Sequence, residues 1–517
     1  MQPKTLAVAA LISFLIPTSV VAKTATQNNP NKIWMLSSIA QQYAEVGQKQ
    51  KASELITQAL PLVDNISSNC DKPKPMATIA GNYARVGQDA QAKLLLEQAI
   101  KIAKTAKGCN STNDSVENLL DISNKYIDEG LYDLALQSVK GLDDASLFYQ
   151  VYGLSLIARD FAQSKKVDQV NALTTEILNV AQSIKDVNQR AFALSRGAYE
   201  FIEARQNTQA IKLLTEAQKT IPAIKDVDGK PDTLLLIARG YIKLRQPTEA
   251  IKILEQAILA AQKVSNLSFR VHNLGAIAVE YAAVNQKPKA NLLLQQALST
   301  ANKIKPGSQR DDLLLTVSNY SAKSGQYDQA IKIANSINNN RQNQAAALSR
   351  IAAEVARQGK FDLALQIAQR QISDAGHKAG ALMQIARALV NTKQLDRAVT
   401  VAQSIKGKYE KVGVLSEIAL QYAENGNPDK AMNLVNTINK LSASLSDEGN
   451  DIDWMLPVVA QSYAKAGNFD RAIKVAESIK ITQHRVQALT QIANEYSAKG
   501  QKDNSLLLLA QAFQLVK

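Results

Sequence analysis

Two cysteines, Cys70 and Cys109, and three histidines, His272, His377 and His484, are the residues of this 517-residue chain whose types suit redox or metal chemistry. Two thiols can form one disulfide or stand as free loop thiols. A structural zinc site takes four Cys or His ligands, and neither cysteine has further ligands near it in sequence. The histidines lie far apart and read as surface or helix-capping residues. The sequence contains no glycine-rich phosphate loop, no HExxH and no nucleophile elbow. Carboxylates are many but scattered. No cofactor and no catalysis are expected. The remaining chemistry is basic: 60 Lys and Arg against 46 Asp and Glu give a formal net charge of +14. That balance favours acidic partners, among them anionic lipid, acidic polymer or acidic protein faces.

What these residues can do depends on the elements that carry them, and those elements repeat. Phrases such as "LLLIARGYIKLRQPTEAIKILEQAI" (234–258) recur about every forty residues. Thirteen anchors stand in phase: Ile39, Ile79, Ile122, Ile157, Gly197, Ile237, Ile277, Val317, Ile351, Ile385, Ile418, Val459 and Ile492. The next residue is Ala in eleven copies and Ser in two. A tyrosine or phenylalanine follows four after the anchor in most copies, as at Tyr43, Tyr83 and Tyr241. Glycine follows eight after it in eight copies, and Ala thirteen after it in eleven. Apolar spacings of three, four and seven mark one face of a helix. The glycine closes that helix in a left-handed conformation, and a second helix starts, often with Asp or Pro in its first turn. One such pair cannot bury its own apolar face, so it must stack on its neighbours.

The order apolar, Ala, Tyr, Gly, Ala resembles the tetratricopeptide repeat. The resemblance covers roughly residues 33 to 517. It implies an all-α fold, a right-handed superhelical solenoid of about 13 helix-turn-helix repeats. It also implies a scaffold that binds proteins or peptides, since the fold by itself carries no chemistry. Five copies depart from the pattern at the glycine, with Lys165, Arg205, Arg245, Asn285 and Lys393 in its place. Lys and Arg tolerate a left-handed backbone poorly, so those turns are expected to be built differently. Copies near 40 residues carry extra stretches such as "LAAQKVSN" (259–266). These read as second helices longer by about one and a half turns. Spacing shortens near residue 317, which divides a segment of mostly 40-residue repeats (33–316) from one of mostly 34-residue repeats (317–517), continuous with the first.

Placed on this frame, the two cysteines occupy equivalent loops of neighbouring repeats. Seven before the anchor stand nine basic residues, including Arg190, Arg270, Arg310 and Arg485. They read either as a positive rail or as caps on the carbonyls ending the preceding helix. Lys165, Arg205 and Arg245 form a second basic edge. The residue two after the anchor projects into the groove in the family. Here Arg159, Tyr199, Arg239, Asn319 and Arg387, with Lys243 nearby, are the candidate partner contacts. The basic set that clamps a peptide C-terminus in some relatives does not recur: Ser37, Ala77, Ser155 and Leu235 stand two before the anchor.

Residues 1–22 combine Lys4, the apolar run Thr5 to Ile16 and small residues up to Ala22, the pattern of a cleaved signal peptide. Residues 23–32 read as a polar linker. The chain is therefore expected to be exported, periplasmic or extracellular, with no transmembrane segment after cleavage. Export makes a Cys70–Cys109 disulfide chemically available and argues against nucleic acid as partner. The leading reading is a protein- or peptide-binding scaffold; the alternative is a solenoid holding an anionic envelope polymer or lipid through its basic edges. The last repeat carries no added polar helix, so its apolar end is expected to dock a partner or a second copy.

Overall fold

The computed structural model describes residues 29–106, 114–128, 130–141, 147–442 and 456–517. The leader and Cys109 lie outside the described residues. Among those described there are 26 α-helices and no strand, pairing in chain order into thirteen repeats. The first helix, Asn29–Glu45, begins inside the segment expected as linker, with Pro30 in its opening turn, where proline's missing amide costs nothing. No described helix is long and apolar enough to cross a membrane.

Each anchor lies at the centre of a first helix and is excluded from solvent, as at Ile39, Ile79, Ile237 and Ile492. The neighbouring alanines, Ala40 and Ala238 in first helices and Ala52 and Ala250 in second helices, are buried too. With only a methyl group at each site, the paired helices approach closely. The recurring tyrosine fills the space beside them; Tyr43, Tyr126, Tyr241 and Tyr463 are all in the core. The second helices vary as the spacing requires. Pro247–Lys263 has 17 residues and Leu395–Ser404 has 10, a difference nearer two turns than one and a half.

The turn between paired helices is the same whatever residue occupies it. At Gly87, φ is +87° and the next amide, of Gln88, donates to the Tyr83 carbonyl at 2.8 Å. Lys165, Arg205, Arg245, Asn285 and Lys393 take φ between 58° and 61°, with the same bond; Gln206 N donates to Phe201 O at 2.7 Å. The expectation of differently built turns is thus corrected. Capping bonds and the packing of both helices hold the backbone left-handed, against a side-chain cost of roughly 1–2 kcal/mol. A cation at a helix C-terminus also meets the negative end of the macrodipole.

The array closes on itself. Each first helix packs on the first helix of the next repeat, from Asn29–Glu45 through to Thr482–Ala498. Asn29–Glu45 then packs against both helices of the last repeat, Thr482–Ala498 and Lys502–Gln514. The second helices contact chiefly first helices, their own and that of the following repeat. First helices therefore form the inner wall of a ring. This corrects the expected open C-terminal end: the surface that a fourteenth repeat would cover is covered by the first. Leu508, Leu509, Ala512 and Val516 are buried accordingly, which removes the ground for self-association through that end.

Replacing Arg205 or Arg245 by Gly is expected to stabilise the chain by about 0.5–1 kcal/mol each, because relief of left-handed strain exceeds glycine's added unfolded-state freedom. Urea midpoints of the variants measure this; a fall in midpoint contradicts it.

Candidate functional site on the inner face

Helical spacing puts the residues five and one before the anchor, and two and six after it, on the inner face. Among the sequence-derived candidates, three arginines do not stand free there. Arg159 pairs with Glu200 at 2.6 Å and Arg239 with Glu280 at 2.6 Å. Arg387 holds Glu417 in a fork, with Nη2 2.5 Å and Nε 2.9 Å from Oε1. Each glutamate belongs to the next repeat, and Glu200 and Glu280 are 8% exposed. The arginines therefore tie successive repeats together as well as lining the wall. For Glu200 and Glu280 the signal was legible as a Glu three after the anchor, whereas Glu417 stands one before its anchor, Ile418; neither was read. Lys243 pairs with Glu203 at 2.5 Å and lies 5.2 Å above the Tyr199 ring. The Tyr199 hydroxyl is buried without a hydrogen-bond partner, and burial raises its pKa above the ordinary phenol value. Asn319 is half-buried on the same wall.

Three of the arginines seven before the anchor turn inward to the chain. Arg190 donates to Ile184 O at 3.0 and 2.7 Å, Arg270 to Val264 O at 2.9 and 2.5 Å, and Arg485 Nε to Ile479 O at 2.8 Å. These guanidinium groups cap carbonyls at the end of the preceding helix. Arg310 differs, its Nε being buried without a partner. Lys165, Arg205 and Arg245 are exposed in their turns. His272, read as a surface residue, has Nδ1 2.8 Å from the Tyr320 hydroxyl of the next repeat. That bond uses the aromatic that slips one place earlier in that copy. His377 lies 2.7 Å from Asp374, the N-cap of its own helix.

What sequence reading missed is an aromatic cluster on the inner wall of repeats 4 and 5. Phe148, Tyr149 and Tyr152 lie on Leu147–Gln163, and Phe192, Arg196 and Tyr199 on Val187–Glu203. Phe148 is 5.7 Å from Phe192 and 5.1 Å, edge to face, from Tyr149. The Arg196 guanidinium lies over the Tyr152 ring at 5.3 Å. Phe192 remains 38% exposed, and Phe269, two repeats further on, 55%. In a chain with only 5% aromatic residues, the stretch "LFYQVYGL" (147–154) was the available signal. Among the described residues no group of three or more His, Cys, Asp or Glu could hold a metal ion.

Residues 233–268 match the family model of the tetratricopeptide repeat, and the other described helix pairs are similar to that one in arrangement. No curated protein matches the chain. Among solved structures it is similar to Ton1535 from Thermococcus onnurineus NA1, with 16% identity over 72% of this chain and 98% of that one, at a TM-score of 0.31. It is also similar to the apo form of the quorum sensor NprR from B. thuringiensis, with 13% identity over 64% and 99%, at a TM-score of 0.25. Aspartyl phosphate phosphatase F from Bacillus subtilis shows 16% identity over 73% and 97%, at a TM-score of 0.27.

Substituting Arg239 by Met strands the Glu280 carboxylate between repeats, at a cost of about 1–3 kcal/mol. Hydrogen exchange should then quicken in repeats 6 and 7, and the double variant with Glu280→Met should recover most of the protection. Unchanged exchange in the single variant contradicts the structural role.

Proposed function

We propose that this chain is an exported, non-catalytic scaffold that holds a protein or peptide against the inner face of its ring. The supporting observation is the cluster of Phe148, Tyr152, Phe192, Arg196 and Tyr199. Aromatic residues and arginine are the side chains that carry most of the energy at protein interfaces. They sit here on rigid helices rather than on loops, so little ordering cost opposes binding. Thirteen helix axes at 8–10 Å spacing give an inner wall of roughly 100–130 Å circumference. That admits an extended segment or a helix of about 10–12 Å diameter.

A photo-crosslinking residue at position 192 is expected to trap a defined partner from the protein's own compartment, whereas the same residue at Lys252 on an outer helix is not. Phe192→Ala and Tyr152→Ala should each weaken that complex about tenfold or more. Equal capture from both positions sinks the inner-face reading.

The second reading, an anionic envelope polymer or lipid, is supported by Lys165, Arg205 and Arg245, exposed in equivalent turns of adjacent repeats. Polymer retention should collapse at high ionic strength, whereas a complex anchored on aromatic rings should survive it. Export also bears on the cysteines. Cys70 is not a free thiol, and we take Cys109, the other cysteine of the chain, as its partner. Alkylation of the unreduced exported chain should label neither residue; two labels per chain contradict the bridge.

A further inference from the structure

The turn edge of repeats 7, 8 and 9 encloses a groove of about 480 Å³. Its walls come from three successive repeats. Lys287 and Asn291 lie in the first two turns of Lys287–Ala301, residues 323–327 make the turn of repeat 8, and Gln358 and Lys360 flank the turn of repeat 9. The volume is within the range of small-molecule sites.

Three ammonium groups share this groove, and no carboxylate does. Lys287, Lys323 and Lys360 are wall residues, and no Asp or Glu is. All three lysines are exposed, so a ligand can reach them. Among the described residues none of the three has a carboxylate partner, whereas Lys243, Lys252 and Lys430 each have one. The acids of these elements near this edge are engaged or outside. Glu280 is held by Arg239, Glu354 by Arg357 and Gln358, and Asp328 is exposed but is not a wall residue. The equivalent groove of repeats 2 and 3, of about 270 Å³, has the same frame and mixed charge: Asp89 and Asp133 stand there with Lys93. In both grooves a lysine of the following repeat lies over a tyrosine ring, Lys166 over Tyr132 at 4.5 Å and Lys360 over Tyr327 at 4.6 Å. The repeat supplies the shape, and residues particular to repeats 7 to 9 supply the uncompensated charge.

We propose that this groove binds a non-nucleoside anion carrying two or more phosphate groups. Lysine presents a compact charge that suits a tetrahedral oxyanion, whereas a planar carboxylate is matched by the arginine fork. The walls contain no arginine. Tyr327, their one aromatic residue, is 7% exposed and lies under Lys360, which leaves a nucleobase no ring face to stack on. Three cations from three repeats match charge spread over two phosphates better than charge held on one. The same chemistry is offered by a free diphosphate and by a phosphate headgroup in a lipid surface. The site lies apart from the aromatic cluster of repeats 4 and 5 and does not rest on the inner-face reading.

Calorimetric titration of the chain with pyrophosphate at low ionic strength should show saturable one-to-one binding, with citrate weaker by about tenfold. Lys287→Gln, Lys323→Gln and Lys360→Gln should each weaken pyrophosphate binding about tenfold and keep the helical circular dichroism signal. Lys185→Gln, Lys225→Gln and Lys263→Gln together remove three exposed charges elsewhere and should leave binding unchanged. Phosphatidylcholine vesicles with and without phosphatidate separate the two sources. Retention on phosphatidate that pyrophosphate competes away assigns a lipid headgroup, and pyrophosphate binding without retention assigns a soluble anion. The proposal is overturned if pyrophosphate does not bind, if citrate binds as tightly, or if the two sets of lysine substitutions weaken binding equally.

Discussion

Every repeat of this chain has two apolar flanks, and neither can be left in water. That constraint accounts for most of what is seen. Inside the array it is met by stacking, with Ile, Ala and Tyr of one first helix pressed against the next. At the ends an open solenoid would need a polar cap. Here the requirement is met by bringing the first and last repeats together, so that Asn29–Glu45 covers the last repeat. The ring is thus the consequence of repeats that are all built like interior ones.

Much of the fold was legible because its determinants are local and periodic. The anchors, the alanines and the recurring tyrosine report helix faces directly, and the thirteen copies found in sequence are the thirteen helix pairs of the structure. Closure was not legible. It depends on the rotation between successive repeats summed over the whole chain, and no single residue encodes that sum. The left-handed lysine and arginine turns were misjudged for a related reason. Intrinsic preference disfavours φ near +58° at Lys165 and Arg245, but capping bonds and packing on both sides outweigh it.

The candidate site was legible only in part. Helical spacing places the residues two after the anchor on the inner wall. Their engagement was hidden: Arg159, Arg239 and Arg387 are each held by a glutamate about 30 to 40 residues away in sequence. Spacing alone does not distinguish a side chain that waits for a ligand from one that clamps the neighbouring repeat. Likewise the ladder seven before the anchor could have been a rail or a set of caps, and at Arg190, Arg270 and Arg485 the guanidinium groups are caps. The features that remain open to a partner are those that break the periodicity: the aromatic cluster of repeats 4 and 5, and the three lysines of repeats 7 to 9.

Small-angle X-ray scattering of the monomeric chain in solution tests closure most directly. A closed ring predicts a pair-distance distribution with the depleted centre and short maximum dimension of a hollow disc, and lengthening when residues 482–517 are removed. An elongated distribution for the intact chain, unchanged in shape by that truncation, would mean that the first and last repeats do not meet.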